Sequence, residues 1–283
     1  MEEGFEYNPR SIKYYVRNYL LSNKEQFSGK KVIDLPAGNG ITSKILMEIG
    51  AHPVPFDLFP EYFKVKGLEC RRVNVMQPLS LDGGTADALI CQEGIEHFPD
   101  QLSVLRNFNR VLKSGGILLI TTPNYSNLSS KLSHLLTESE RFNSFMPPNE
   151  IDSIWMSDQS VSDEIYYGHI FLIGIQKLRL LAVLAGFRIK RIIPARIKSS
   201  SLIMLLFFYP FILLFNSMVY YKNLRKKRIA KQNTGETYRE VFRYAIRPRI
   251  LIDSHLIVEF EKNSECSDVK EKLKSQHTSF GTT

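Results

Sequence analysis

Two rhythms of apolar and polar residues run along the chain. Apolar runs of strand length recur at residues 31–35, 54–57, 71–75, 87–92, 117–121, 187–193 and 255–261. Between them, apolar positions fall three and four apart, as on one face of a helix. Ile12, Tyr15, Val16, Tyr19 and Leu20 make such a face near the start. Residues 41–49 predict a helix stopped at Gly50. Leu102, Leu105, Phe108, Val111 and Leu112 line another, which Lys113-Ser114-Gly115-Gly116 ends. Residues 175–184 predict one more, ending at Ala185-Gly186. Strands alternating with helices predict an α/β fold, a doubly wound seven-stranded sheet covered on both faces, with residues 1–283 forming one domain. Residues 125–167 break the alternation. They are polar, carry Pro147-Pro148 and predict an irregular cap or acceptor-side insertion. Residues 262–283 are polar and predict a flexible tail.

One stretch fits neither rhythm. From Leu202 to Phe215 every residue is apolar or aromatic, with Pro210 in the middle, and Met218 to Tyr221 resume the run after Asn216 and Ser217. About 20 such residues suffice to cross a bilayer core. Lys222, Arg225, Lys226, Lys227 and Arg228 follow directly and suit an anionic membrane surface. Three placements stay open: a buried core helix, an interfacial or re-entrant segment, and a full span. Strand-like runs lie on both sides, so residues 200–247 read as an apolar and basic insertion between the sixth and seventh strands.

Charge sharpens this picture. Residues 188–249 hold 15 Lys or Arg against Glu236 and Glu240, about +13, whereas the whole chain carries +8, leaving about −5 elsewhere. A basic segment attracts phosphate, on a membrane or on nucleic acid. Here the basic residues flank an apolar run instead of interleaving with spaced aromatics. That pattern favours a membrane surface, met through residues 202–228, over nucleic acid. At 43% hydrophobic and 23% charged, the composition is that of an ordinary globular protein. Cys70, Cys91 and Cys266 are scattered without metal-ligand spacing, and Cys91 falls in an apolar run that predicts a buried thiol. With no secretory pattern at the start, the expected compartment is the cytoplasm, at the cytoplasmic face of the membrane.

The chemistry begins at "KKVIDLPAGNGITSKIL", a strand, a glycine turn and a helix start. In a doubly wound sheet, ligands bind beyond the carboxyl ends of the strands. Asp57, 23 residues after Asp34, ends the second strand where a carboxylate would accept from ribose hydroxyls. A dinucleotide site asks for G-x-G-x-x-G, but Gly38-Asn39-Gly40 is followed by Ile41, Thr42 and Ser43. Asp34, just before the turn, suits a ligand with a cationic amino group better than a pyrophosphate. S-adenosylmethionine is therefore favoured over NAD.

The motifs "VIDLPAGNG", "FD" at Phe56-Asp57, "DALICQEGIEHFPD" and "RVLKSGGILLITTPN", with the last strand, resemble the class I S-adenosylmethionine-dependent methyltransferases. The similarity is to the subgroup with an E-x-x-E-H turn after strand four, and it covers residues 32–187 plus the seventh strand. The resemblance implies a Rossmann-like methyltransferase fold with strand seven antiparallel. It places Asp34, Gly38, Asn39 and Gly40 against the methionine moiety and Asp57 on the ribose. It puts Asn74 and Val75 beside the adenine and Gln92 and Glu93 on the methyl-transfer side. One departure is Pro36, where the family has the first turn glycine; proline supplies no backbone N–H and fixes φ.

Methyl transfer to a hydroxyl needs an aligned nucleophile and a proton acceptor. Glu93, Glu96 and His97 form the E-x-x-E-H turn. His97 can serve as general base, since imidazole titrates near neutrality. By the resemblance, Glu93, Glu96, His97 and His169 also match a set that binds a divalent metal in some relatives. Without metal, Glu93 would line the pocket, His97 and His169 would be base or substrate contacts, and Glu96 would cap or pair on the surface. His52, His134 and His255 have no evident partner, and His134 reads as a solvated loop residue. Trp155, Tyr166 and Tyr167 either pave an acceptor site or form the cap's own small core. The favoured activity is O-methylation of a glycan, lipid-linked saccharide or other membrane-held acceptor, the isoprenoid quinones included. A nucleic-acid methyltransferase or binder, a non-catalytic scaffold and an NAD oxidoreductase are the rival readings.

Overall fold

The computed structural model describes residues 4–140, 146–226 and 234–278. Nine strands appear among them, seven in one sheet: β1 Lys31–Asp34, β2 His52–Asp57, β3 Arg71–Arg72, β4 Ala86–Gln92, β5 Leu112–Pro123, β8 Phe187–Ile193 and β9 His255–Lys262. The order is β3-β2-β1-β4-β5-β9-β8. All neighbours are parallel except β9, which runs against both β5 and β8. β6 Ile154–Met156 and β7 Tyr166–Tyr167 form a separate antiparallel hairpin.

Helices cover both faces. Helices α1 Ile12–Ser22, α2 Lys24–Phe27 and α3 Ile41–Glu48 pack with Val32, Ile90, Leu119 and Ile257 on one side of the sheet. Helices α4 Gln101–Val111 and α6 Ile175–Leu184 close the other side over Ile33, Leu89, Leu118 and Phe260. Central strands buried on both faces lose the alternating pattern and read as continuous apolar runs. Asp100 caps α4, its carboxylate accepting from the Ser103 N–H at 2.9 Å. Glu259 on β9 is fully buried and ion-paired to Lys190 and Arg191 of β8. It also accepts from the Tyr19 hydroxyl of α1 at 2.9 Å, which ties the N-terminal helix to the sheet.

Several segments depart from the sequence expectation. Helix α4 stops at Val111, and residues 113–116 belong to β5, where the register to β4 shifts between Ala86 and Ala88. The third strand is only Arg71–Arg72. Residues 125–167 are not wholly irregular: they contain α5 Leu128–Thr137, which carries His134 as an exposed helical residue, and the β6–β7 hairpin. The polar tail is helical over α10 Cys266–Thr278, packed near α4 and α6; residues 279–283 lie outside those described.

The insertion between β8 and β9 folds as α7 Ser199–Lys226, α8 Thr234–Ile246 and α9 Pro248–Ile252. Among the described residues, α7 is the one helix long and apolar enough to cross a membrane. One side of it packs through Met204, Leu205, Tyr209 and Ile212 against Leu128, Leu251 and Ile252. A polar seam fixes its start: Ser201 Oγ meets Asn127 Oδ1 at 3.2 Å and Ser129 Oγ at 2.9 Å. Arg179 of α6 binds Glu240 of α8 at 2.7 Å and joins the insertion to the sheet's helical layer. Helix α7 is therefore not a buried core helix, because Leu206, Phe207, Phe211, Leu214 and Phe215 are all more than half exposed. Lys227 and Arg228 lie outside the described residues.

Candidate active site

Strand order reverses between β1 and β4, so their carboxyl ends leave a crevice. A cavity of about 860 Å³ opens there, within the range of small-ligand sites. Gly38, Asn39, Asp57, Asn74, Val75 and Gln92 line it, together with Glu93 and His97. Eight residues chosen from sequence thus share one cavity. Asp34, Gly40, Glu96 and His169 stand behind the wall. Residues the sequence did not single out complete it: Phe5 and Lys13 from the N-terminal segment, and Phe59 and Tyr62 after β2.

The cofactor half is built around Asp57. Its Oδ2 accepts from the Gly38 N–H at 2.7 Å and its Oδ1 from the Phe59 N–H at 2.8 Å. A carboxylate has about four lone-pair sites, so it can still receive two hydroxyls. Gly40 has φ 88°, and a Cβ there would stand 2.5 Å from Val65 Cγ2. Only glycine fits between that side chain and the start of α3. Pro36 is accommodated from across the cleft: a Cβ on Gly94 would meet Pro36 Cδ at 2.5 Å. The proline ring occupies space that a glycine after β4 leaves open.

Asp34 is fully buried. Its Oδ2 accepts from Ser43 Oγ at 2.6 Å, while Oδ1 has no partner among the described residues. Burial, with the nearby Asp57 charge adding to it, raises its pKa to about 7. Thr42 donates to Gln92 Oε1 at 2.8 Å, which fixes that amide on the wall. An unpartnered carboxylate oxygen, a second carboxylate on backbone amides and a glycine turn fit a ligand that has a cationic amino group and a ribose. The donor set fits S-adenosylmethionine.

The opposite half is the E-x-x-E-H turn. Glu93 has φ 49° and His169 φ 57°, two of the three non-glycine residues in the left-handed region among those described. Such backbone costs energy and concentrates at functional sites. Glu93 accepts from Thr121 Oγ1 at 2.8 Å, and His255 Nε2 stands 3.5 Å from its other oxygen. His255 is a further residue to which the sequence reading assigned no partner. β9 runs against β5, so Pro123 pairs with His255 at the sheet edge that carries Glu93.

Glu96 is fully buried and accepts from Thr122 Oγ1 at 2.9 Å. The surface role considered for it is thereby overturned. Burial, then the Glu93 charge, pushes its pKa well above the usual carboxylate range. The two carboxylates reach adjacent threonines of β5, Thr121 and Thr122.

His97 is enclosed by Trp155 at 5.0 Å and His169 at 5.1 Å between ring centroids. Its Nδ1 has no partner among the described residues, and a Cβ on Gly168 would lie 2.7 Å from it. Desolvation, with repulsion from His169, lowers the His97 pKa to about 4. The ring is therefore neutral at pH 7. Phe59 meets Trp155 at 5.8 Å and Tyr166 at 4.9 Å, so the hairpin's aromatics face this half of the cavity. Among the described residues, no three His, Cys, Asp or Glu side chains are gathered closely enough to hold a metal ion. The possible metal set of Glu93, Glu96, His97 and His169 is not assembled.

A family model described as a methyltransferase domain matches residues 6–191, well over half of the chain. The ubiquinone biosynthesis O-methyltransferase of Xanthomonas oryzae pv. oryzae (strain PXO99A) is 35% identical over 118 residues, covering 38% of this chain and 49% of that protein. The protein of the same name from Xylella fastidiosa (strain M23) is 34% identical over 118 residues, 38% of this chain and 48% of that one. The chain thus spans about half the length of the curated relatives it matches. A SAM dependent methyltransferase from Archaeoglobus fulgidus shares the fold, with a TM-score of 0.52 at 14% identity over 91% of this chain and 98% of that one. An S-adenosylmethionine dependent methyltransferase from Mesorhizobium loti does so equally, at 0.52 and 14% over 91% of this chain and 100% of that one. The chain belongs to the class I S-adenosylmethionine-dependent methyltransferase family.

Proposed function

We propose that this methyltransferase-family chain transfers a methyl group from S-adenosylmethionine to a hydroxyl oxygen on a hydrophobic, membrane-held acceptor. The observation that carries this reading is the second half of the cavity, where Glu93 and a neutral His97 stand beside an aromatic wall. The likeness to relatives named O-methyltransferases of ubiquinone biosynthesis supports it. Bound S-adenosylmethionine supplies an electrophilic methyl carbon. The chain's own residues do the rest. Asp57, Asn74 and Val75 hold the nucleoside, and Asp34 offers negative charge to the amino group. Trp155, Tyr166 and Phe59 flank a planar ring better than a saccharide, so a phenol or catechol is preferred to the glycan acceptors. The β6–β7 hairpin acts as the cap that keeps water from that ring. On transfer, the new O–C bond would replace the sulfonium's methyl C–S bond, S-adenosylhomocysteine would leave, and the hydroxyl proton would pass to His97, already in the neutral form. Glu93, held by Thr121 and His255, stabilises the positive charge that His97 gains, and His169 fixes the ring's plane.

In this reading the site works at the cytoplasmic face of a membrane, and the exposed apolar side of α7 supports it. Its outer face is apolar, and Lys222 and Arg225 follow. Its other face stays bound to α5 and α9, which favours a helix lying in the interface over one that spans it.

The test is S-adenosylhomocysteine release with a catechol bearing a ten-carbon tail, the same ring without the tail, and an alkyl glucoside. Turnover of the tailed catechol, lost about 100-fold or more in His97→Ala with unchanged S-adenosylhomocysteine affinity, is expected. Turnover of the glucoside alone would overturn the phenolic acceptor. His97→Ala at full rate would remove its role as base.

A further inference from the structure

Besides the main cavity, the insertion encloses a second one. It has a volume of about 310 Å³ and lies where α5, α7 and the α8–α9 segment meet the start of α6. Its inner wall is Leu128 and Leu251, both buried. Along α7 it is lined by Met204, Phe208, Ile212 and Asn216, a stripe at intervals of four residues, which is one side of a helix. The adjoining stripe of α7 is the exposed apolar face, including Phe207 and Phe211. Phe208, which lines the cleft, is itself 48% exposed, and Leu135 on the facing helix is 78% exposed. The cleft therefore opens on the side on which α7 offers its apolar surface.

Its rim carries one cation. Lys131 of α5 lines the cleft and reaches solvent, although partial burial against the apolar wall lowers its pKa, and among the described residues it is in no ion pair. Lys222 and Arg225 lie further along at the end of α7. An apolar slot with a cation at its mouth is complementary to a hydrocarbon chain that ends in an anionic group. A partner protein's helix would need a broader groove than 310 Å³ offers.

We infer that the cleft between α5 and α7 holds one hydrocarbon chain of an anionic membrane lipid, with Lys131 taking the headgroup. The site extends the membrane docking proposed above. It does not depend on methyl transfer, and a separate S-adenosylhomocysteine titration keeps the two readings distinguishable.

The test uses the full chain and cis-parinaric acid, an eighteen-carbon fatty acid whose fluorescence rises in apolar surroundings. Saturable binding of one equivalent is expected. Lysophosphatidylglycerol should displace the probe at least fivefold better than lysophosphatidylcholine, and Lys131→Glu should erase that preference. Filling the cleft by Ile212→Trp, or from the other wall by Leu132→Trp, should weaken binding at least tenfold with S-adenosylhomocysteine affinity unchanged. Phe207→Ser with Phe211→Ser, on the outer face, should leave it within twofold. Binding that survives both fillings but vanishes with the outer-face variant would mean adsorption to the open helix and would overturn the site. So would displacement by palmitate but by neither lysolipid, or a dimer in sedimentation that either filling dissociates, which would make a second copy the occupant.

Discussion

Asp57→Ala isolates the cofactor half of the cavity. In the folded chain the Asp57 carboxylate accepts from two backbone amides, Gly38 at 2.7 Å and Phe59 at 2.8 Å. These contacts use one lone pair on each oxygen and leave the others for two ribose hydroxyls. Each hydrogen bond to a charged acceptor contributes about 1.5–3 kcal/mol net. Losing both hydroxyl contacts should then cost about 3 kcal/mol at the low end, or roughly a 150-fold rise in Kd. The cost to folding is smaller and separable. Gly38 is exposed, so its amide turns to water. Phe59 is 2% exposed, and its amide would lose its acceptor at about 1–3 kcal/mol. A domain of this size should then melt roughly 5 °C lower. Calorimetric titration with S-adenosylhomocysteine reads the first quantity, and a melting curve the second. Asp57→Asn keeps one acceptor oxygen and turns an N–H toward one of the amides, so its Kd should fall between. An unchanged Kd in both variants would refute the placement of the ribose. A loss of binding that merely tracks unfolding would refute the separation of the two roles.

Three further outcomes follow from the same geometry. The Asp34 pKa of about 7 exceeds its unfolded value, so its contribution to stability is complete in acid and is lost as pH rises through 7. A bound ammonium group favours the ionised form, so S-adenosylhomocysteine affinity should fall up to about tenfold per unit below pH 7, and Asp34→Asn should flatten that slope; a flat wild-type profile would sink the assignment. The His97 pKa, lowered to about 4, puts the acid limb of turnover that reports His97 protonation well below the usual imidazole range, and a limb at 6.5 that disappears in His97→Gln would contradict the buried, neutral ring. Phe207→Ser, Phe211→Ser and Phe215→Ser together remove three side chains, each more than half exposed. They should release the chain from phosphatidylglycerol vesicles in a flotation assay and leave its melting temperature within a few degrees; persistent flotation would exclude that face as the anchor.

The parts of the fold that were legible in the sequence are those whose burial is simple. β1, β4 and β5 are buried on both faces and read as apolar runs, and α4 carries one apolar stripe over a polar face. Helix α5 was hidden for the opposite reason. Its Ser129, Ser130 and Ser133 are buried, not exposed, because the polar seam to Ser200 and Ser201 of α7 lies inside the protein. A helix that buries serines and exposes Leu135 and Leu136 carries a pattern that points the wrong way. Helix α10 offers only Cys266, Val269 and Leu273 as apolar residues at helical spacing, and its docking near α4 and α6 is a tertiary fact. Residues 113–116 carry the glycines of a helix end, yet the shifted register of β4 and β5 lets them join the strand.

The candidate site divides in the same way. The glycine turn, Asp57 and the E-x-x-E-H turn were readable because each is local, with its residues adjacent in the chain and attached to a strand end. His255 lies 162 residues from Glu93 and has no motif around it. It was nevertheless within reach of a physical argument. In a parallel sheet the ligand edge is formed by the last residues of the strands, but a closing antiparallel strand brings its first residue to that edge. β9 begins at His255, so the reversal of that one strand puts an imidazole beside Glu93, the carboxylate that directly follows β4. The same reversal pairs Thr121 with Ile257 and Thr122 with Leu256, which brings the start of β9 alongside the two threonines holding Glu93 and Glu96. The polar floor of the acceptor half is thus set by strand direction as much as by motif. His255→Leu tests it directly: Glu93 would keep Thr121 and lose its imidazole neighbour. Turnover should then fall while S-adenosylhomocysteine affinity holds, and His255→Gln, which keeps an N–H donor there, should recover part of the rate.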